Sequence, residues 1–121
     1  MSQSVLIVDD EEVVGDLISD VLIHQRLVPL LARSISEAMS IWEAERPNIR
    51  LLIADLNLGG GGNGIQLAER MLKESPDLRV IFTSGFPVSE ADSAFLVEGV
   101  NFFKKPFRLP TLIGAVRNAL S

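Results

Sequence analysis

Short apolar runs alternate with stretches of helical periodicity along the whole chain, and four of the runs stop at a polar residue. Val5-Leu6-Ile7-Val8 stops at Asp9-Asp10, and Leu51-Leu52-Ile53-Ala54 stops at Asp55. Val80-Ile81-Phe82 stops at Thr83-Ser84, and Val100-Asn101-Phe102-Phe103 stops at Lys104-Lys105-Pro106. Short runs rich in Val, Ile, Leu and Phe between helices read as parallel strands buried on both faces. Ligands of an open parallel sheet bind outside the carboxyl ends of its strands. The pattern therefore brings three carboxylates, a hydroxyl pair and an ammonium to one sheet edge.

Between the runs, Val13, Val14, Leu17, Ile18, Val21 and Leu22 recur at helical spacing. Leu27 to Ala32 is a further strand, interrupted by Pro29, which lacks a ladder donor and so belongs at an edge or bulge. Ser34-Ile35-Ser36-Glu37 forms a capping box before Ala38, Met39, Ile41 and Trp42, and Pro47 closes that helix. A third helix carries Ile65, Leu67, Ala68, Met71 and Leu72. A fourth is expected from Ser89 to about Val97, and the last carries Leu112, Ile113, Val116, Ala119 and Leu120. Five strands and five helices in strict alternation predict a flavodoxin-like, doubly wound α/β fold with a five-stranded parallel sheet in the order 2-1-3-4-5.

The 121 residues fit one domain, 1–121. There is no cysteine, which removes disulfides and thiolate metal sites and fits a cytoplasmic setting. Met1-Ser2-Gln3-Ser4 lacks the basic start and apolar core of a signal peptide, so neither a leader nor a membrane association is expected. Sixteen acidic against eleven basic side chains give a net charge of −5, which argues against direct nucleic-acid binding.

Asp9 and Asp10 repel one another unless a counter-charge is present. One acid suffices as a helix cap; the second points to a hard divalent cation such as Mg2+ with all-oxygen ligands. Asp55, on the neighbouring strand, adds a third carboxylate, and a carboxylate there can attack phosphorus to give an aspartyl phosphate. Thr83 faces the same edge, and Lys105 supplies a cation beside it. Gly59, Gly61 and Gly64 match G-x-G-x-x-G only formally, because the run starts four residues after Asp55 and no acid lies near the second position the motif requires. It reads as a mobile loop beside the acids. His24 and Lys104 read as solvated, and Trp42 as core or interface.

Together these residues resemble the receiver domain of two-component response regulators, in particular a stand-alone, chemotaxis-regulator-like one, over nearly the whole chain. The resemblance rests on the ordered set Leu6-Ile7-Val8-Asp9-Asp10, Asp55, Thr83-Ser84-Gly85 and Lys105-Pro106-Phe107. It implies that Asp55 is the phosphoacceptor, and that Asp9, Asp10, Asp55 and the carbonyl of Asn57 bind Mg2+. It further implies Lys105 and Thr83 as the catalytic lysine and switch hydroxyl, and Phe102 as an aromatic that turns inward on activation. The sequence departs from the family at Gly59, where proline is usual, and Gly64 lies nine residues after Asp55 rather than eight.

The expected function is a phosphorylation-dependent switch of a phosphorelay rather than an enzyme. It accepts a phosphoryl group from a histidine kinase or a histidine phosphotransfer protein. No effector segment follows the last helix, so output is expected on a downstream protein or a second copy, through the fourth helix, fifth strand and fifth helix. The alternatives are an interaction module of the same fold that is not phosphorylated, and a Mg2+-dependent phosphohydrolase.

Overall fold

A parallel five-stranded sheet runs through the centre of the computed structural model, which describes residues 3–59, 62–89 and 93–121. Its strands are β1 (Ser4–Val8), β2 (Val28–Ala32), β3 (Ile49–Asp55), β6 (Arg79–Ser84) and β7 (Phe102–Lys104), in the order β2-β1-β3-β6-β7. This is the predicted 2-1-3-4-5 order. Two further short strands, β4 (Asn57–Leu58) and β5 (Gly62–Asn63), pair antiparallel with each other. The helices are α1 (Glu12–His24), α2 (Ile35–Glu45), α3 (Gly64–Glu74) and α4 (Leu109–Leu120), with a 3-10 turn at Arg46–Asn48.

Alternate residues of each strand point to opposite faces, and the core divides accordingly. Leu6, Val8, Leu52, Ala54, Phe82 and Phe102 pack with Trp42, Leu67 and Met71 on one face. Val5, Ile7, Leu51, Ile53, Ile81 and Phe103 pack with Ile18, Leu22, Leu112 and Val116 on the other. Burial on both faces explains why the strands read as unbroken apolar runs. Pro29 lies on the edge strand β2, opposite Val5, where its missing N–H interrupts no interior ladder.

The capping box before α2 forms. The Ser34 hydroxyl accepts from the Glu37 N–H at 3.1 Å, and Glu37 Oε1 accepts from the Arg33 N–H at 3.0 Å. Trp42 is fully buried, and its Nε1–H donates to Glu74 Oε2 at 2.8 Å. Arg46 reaches the other oxygen of Glu74 at 3.2 Å. His24 and Lys104 are exposed, as expected.

Two expectations change. Four helices, not five, are present among the described residues. Residues 90–92 of the expected fourth helix lie outside the described residues. Ser93 is still helical, its N–H donating to the Ser89 carbonyl at 2.9 Å, and from Ala94 onward the chain forms turns instead. The Asn101 side chain accepts from the Val97 N–H at 2.6 Å and donates to the Phe95 carbonyl at 3.0 Å. It thereby takes backbone groups that a helix would pair internally. A segment of this length gains little from helix formation alone, so such competition decides its conformation. The glycine run is not wholly a loop: Gly62 and Asn63 pair as β5 with Leu58 and Asn57 of β4 just before the run, while Gly60 and Gly61 lie outside the described residues.

Candidate functional site at the carboxyl edge of the sheet

Parallel register carries the polar strand ends to one place. Val8 pairs with Ala54 and Asp55 pairs with Thr83, so Asp9 and Asp55 leave neighbouring strands side by side. β7 adds Lys105, whose N–H donates to the Ser84 carbonyl at 2.8 Å. The Lys105–Pro106 peptide bond is cis.

Lys105 is the hub. Its Nζ lies 2.8 Å from Asp55 Oδ2, 2.8 Å from Glu11 Oε1 and 2.9 Å from Asp9 Oδ2. The first two contacts are aligned hydrogen bonds. No donor is aligned on buried Asp9 Oδ2, so its contact with the lysine is electrostatic only. The other oxygens are held by the backbone: Asp9 Oδ1 accepts from the Glu11 N–H at 2.8 Å, and Asp55 Oδ1 accepts from the Asn57 N–H at 3.0 Å.

Burial raises the Asp9 carboxyl above the usual aspartate range, and the Asp55 charge pushes the same way; the lysine and the Glu11 N–H oppose them. Burial alone would lower Lys105. Its hydrogen bonds to Asp55 and Glu11, with the Asp9 charge beside it, outweigh that effect and hold the ammonium above the usual lysine range.

Oxygens of Asp9, Glu11 and Asp55 all lie within 4.8 Å of one another. An all-oxygen set with one buried acceptor lacking an aligned donor, and more negative charge than one ammonium balances, fits a hard divalent cation. Asp10 stands apart: it is exposed, and its Oδ2 accepts from the Gly59 N–H at 3.2 Å. Glu11, which drew no attention in the sequence, takes the third place around the lysine.

Thr83 and Ser84 are buried. Asn57 Nδ2–H donates to Ser84 Oγ at 3.0 Å, and Ser84 Oγ–H donates to the Phe86 carbonyl at 2.8 Å. The α3 N-terminus packs directly on the end of β3. A Cβ at Gly64 would fall inside van der Waals contact of the Asp55 carbonyl oxygen and 3.0 Å from its carbon. Phe102 is already buried, 5% exposed, beside Phe82. Its ring lies with the core on the Phe82 side of the sheet, the inward position that the resemblance implies for it on activation. Beside the site, Glu11, Val14, Leu17, Phe86, Lys105 and Phe107 line a groove of about 480 Å³.

An open parallel sheet with paired acids, an acceptor-type aspartate and a lysine at its carboxyl edge defines a signalling domain of the response-regulator kind. Residues 5–117 match the response regulator receiver domain family, and the chain belongs to it. It is 36% identical over 89 residues to the DNA-binding transcriptional activator DevR/DosR of Mycobacterium tuberculosis, a match covering 72% of this chain and 40% of that protein. It is 27% identical over 105 residues to the photosynthetic apparatus regulatory protein RegA of Cereibacter sphaeroides, covering 86% and 55%. The non-phosphorylated HemR receiver domain of Leptospira biflexa superimposes with a TM-score of 0.81 at 28% identity, covering 99% and 95%. The chain spans 19% to 55% of the length of the curated relatives it matches. Among the described residues, no helix is long and apolar enough to cross a membrane.

Proposed function

We propose that this domain is a phosphorylation-dependent switch that accepts a phosphoryl group on Asp55 from a phosphohistidine of a histidine kinase or histidine phosphotransfer protein. The observation that carries the reading is the lysine hub: one ammonium within 2.9 Å of two buried carboxylates, Asp9 and Asp55, at the mouth of a groove. Asp9, Asp10, Asp55 and the Asn57 carbonyl would hold Mg2+, which, when bound, offsets the negative charge of the phosphoryl oxygens.

A carboxylate oxygen of Asp55 forms the new bond to phosphorus as the phosphorus–nitrogen bond breaks. The imidazole leaves with that electron pair. The Asn57 N–H fixes Asp55 Oδ1, which orients the carboxylate before the donor arrives. Lys105 turns from Asp55 Oδ2 to the phosphoryl oxygens and stabilises their developing charge. Leu17 and Phe86 are exposed apolar side chains lining the groove, and they suit a helical donor surface laid over the acceptor. We assign the domain to the cytoplasm and treat it as a single folded unit that signals without turnover.

Thr83 reads the phosphoryl group through its hydroxyl and moves the following loop, with Gly85 and Phe86. Output then passes to a downstream protein or a second copy through the 93–101 segment, β7 and α4. The reading is tested by intact-mass analysis after incubation with acetyl phosphate and Mg2+: one phosphoryl group is added, and peptide mapping finds it on Asp55. An unchanged mass would leave the domain an interaction module. Thr83→Ala accepts the group at a rate within a few-fold of the parent, yet the amide shifts of residues 85–88 on phosphorylation shrink by more than half. Full shifts in that variant, followed by NMR, would remove Thr83 from the switch.

A further inference from the structure

The reaction changes the surroundings of two of the three carboxylates that hold Lys105. Asp55 becomes bonded to phosphorus, and a divalent cation, when bound, would be held by Asp9 and Asp55 together. Glu11 lies within reach of the same cation, but it is neither the proposed acceptor nor among the proposed metal ligands Asp9, Asp10, Asp55 and Asn57. It is exposed, yet its Oε1 makes one of the two aligned hydrogen bonds to Nζ.

Its backbone is fixed from both sides. The Glu11 N–H donates to Asp9 Oδ1 at 2.8 Å, and its carbonyl accepts from the Gly15 N–H at 3.1 Å in the first turn of α1. Glu11 is the N-cap of α1, but its side chain caps no helical N–H. Instead the carboxylate leaves the helix end and crosses to β7, beside the groove that Glu11 and Lys105 both line.

We propose, resting on the phosphorylation of Asp55, that Glu11 is a positioning residue for phosphoryl transfer: it is the anchor of Lys105 that persists through the reaction. An ammonium has three N–H groups. The one on Glu11 keeps Nζ at the mouth of the pocket while the one on Asp55 is released to a phosphoryl oxygen. Without Glu11, the ammonium is held only by Asp9 and Asp55, deeper in the pocket, and it must break both contacts to meet the incoming group.

The test uses the intact chain as parent, Glu11→Ala and Glu11→Gln; the glutamine keeps the acceptor oxygen and loses the charge. Three quantities are measured: the rate of phosphorylation by acetyl phosphate at saturating Mg2+, the affinity for beryllofluoride by 19F NMR, and the affinity for Mg2+ alone by calorimetry. Glu11→Ala slows phosphorylation five- to tenfold and weakens beryllofluoride binding by a similar factor. Glu11→Gln recovers most of both losses, and Mg2+ affinity falls no more than threefold in either variant. An alanine rate equal to or above the parent's would overturn the proposal. So would a tenfold loss of Mg2+ affinity in both variants, which would make Glu11 a metal ligand instead. A parent that takes no phosphoryl group is a separate failure: it removes the reading beneath the proposal, and the role of Glu11 with it.

Discussion

Asp55→Asn keeps the fold and abolishes phosphoryl uptake. Asparagine fills the same volume and retains the oxygen that accepts from the Asn57 N–H. It lacks the charged oxygen that attacks phosphorus. Stability changes by no more than about 1 kcal/mol. The lost ion pair to Lys105 is offset by relief at Asp9, whose carboxyl the Asp55 charge raises, and Lys105 keeps Asp9 and Glu11 as partners. Intact mass after acetyl phosphate treatment reads the first effect, and urea unfolding the second. Incorporation at the parent level in this variant would place the acceptor elsewhere.

The largest stability effect lies not at a charged residue but at Gly64. A methyl group there meets the Asp55 main chain, not a side chain free to turn aside. Either α3 or the end of β3 must shift, and overpacking of this kind costs about 3 kcal/mol. The thermal midpoint of Gly64→Ala should fall by roughly 10 °C. Gly114, inside α4 with nothing within 4 Å of its added Cβ, is the control. Gly114→Ala gains up to about 1 kcal/mol from helix propensity, so the two substitutions move the midpoint in opposite directions. A neutral Gly64→Ala would mean that α3 is not seated on the acceptor strand.

The sheet was legible because burial on both faces leaves nothing to interrupt an apolar run, and Pro29 alone marks β2 as an edge. The acids and Lys105 were legible because each ends such a run. Glu11 was not. In the stretch Asp9-Asp10-Glu11-Glu12 it is one acid among four, and what distinguishes it is a lysine 94 residues away. The end of the fourth helix, from Ala94 to Val97, was over-read because periodicity cannot register Asn101 competing for backbone groups from outside the segment. The β4–β5 pairing was missed because glycine and asparagine carry almost no strand preference, and the buried state of Phe102 depends on Phe82 across the sheet.

Helix α3 joins two distant parts of the molecule. Its first residue, Gly64, rests on the main chain of Asp55, and its last, Glu74, grips the indole of Trp42. Eleven helical residues make a rod of roughly 16 Å. A tilt of that rod on the proposed phosphorylation of Asp55 would be delivered at the far end to the only tryptophan in the chain. On the proposed phosphorylation of Asp55 the domain would thus carry its own optical gauge: emission from a ring with a carboxylate on one side and the Arg46 guanidinium 6.0 Å over its face would read a lever that starts at Asp55.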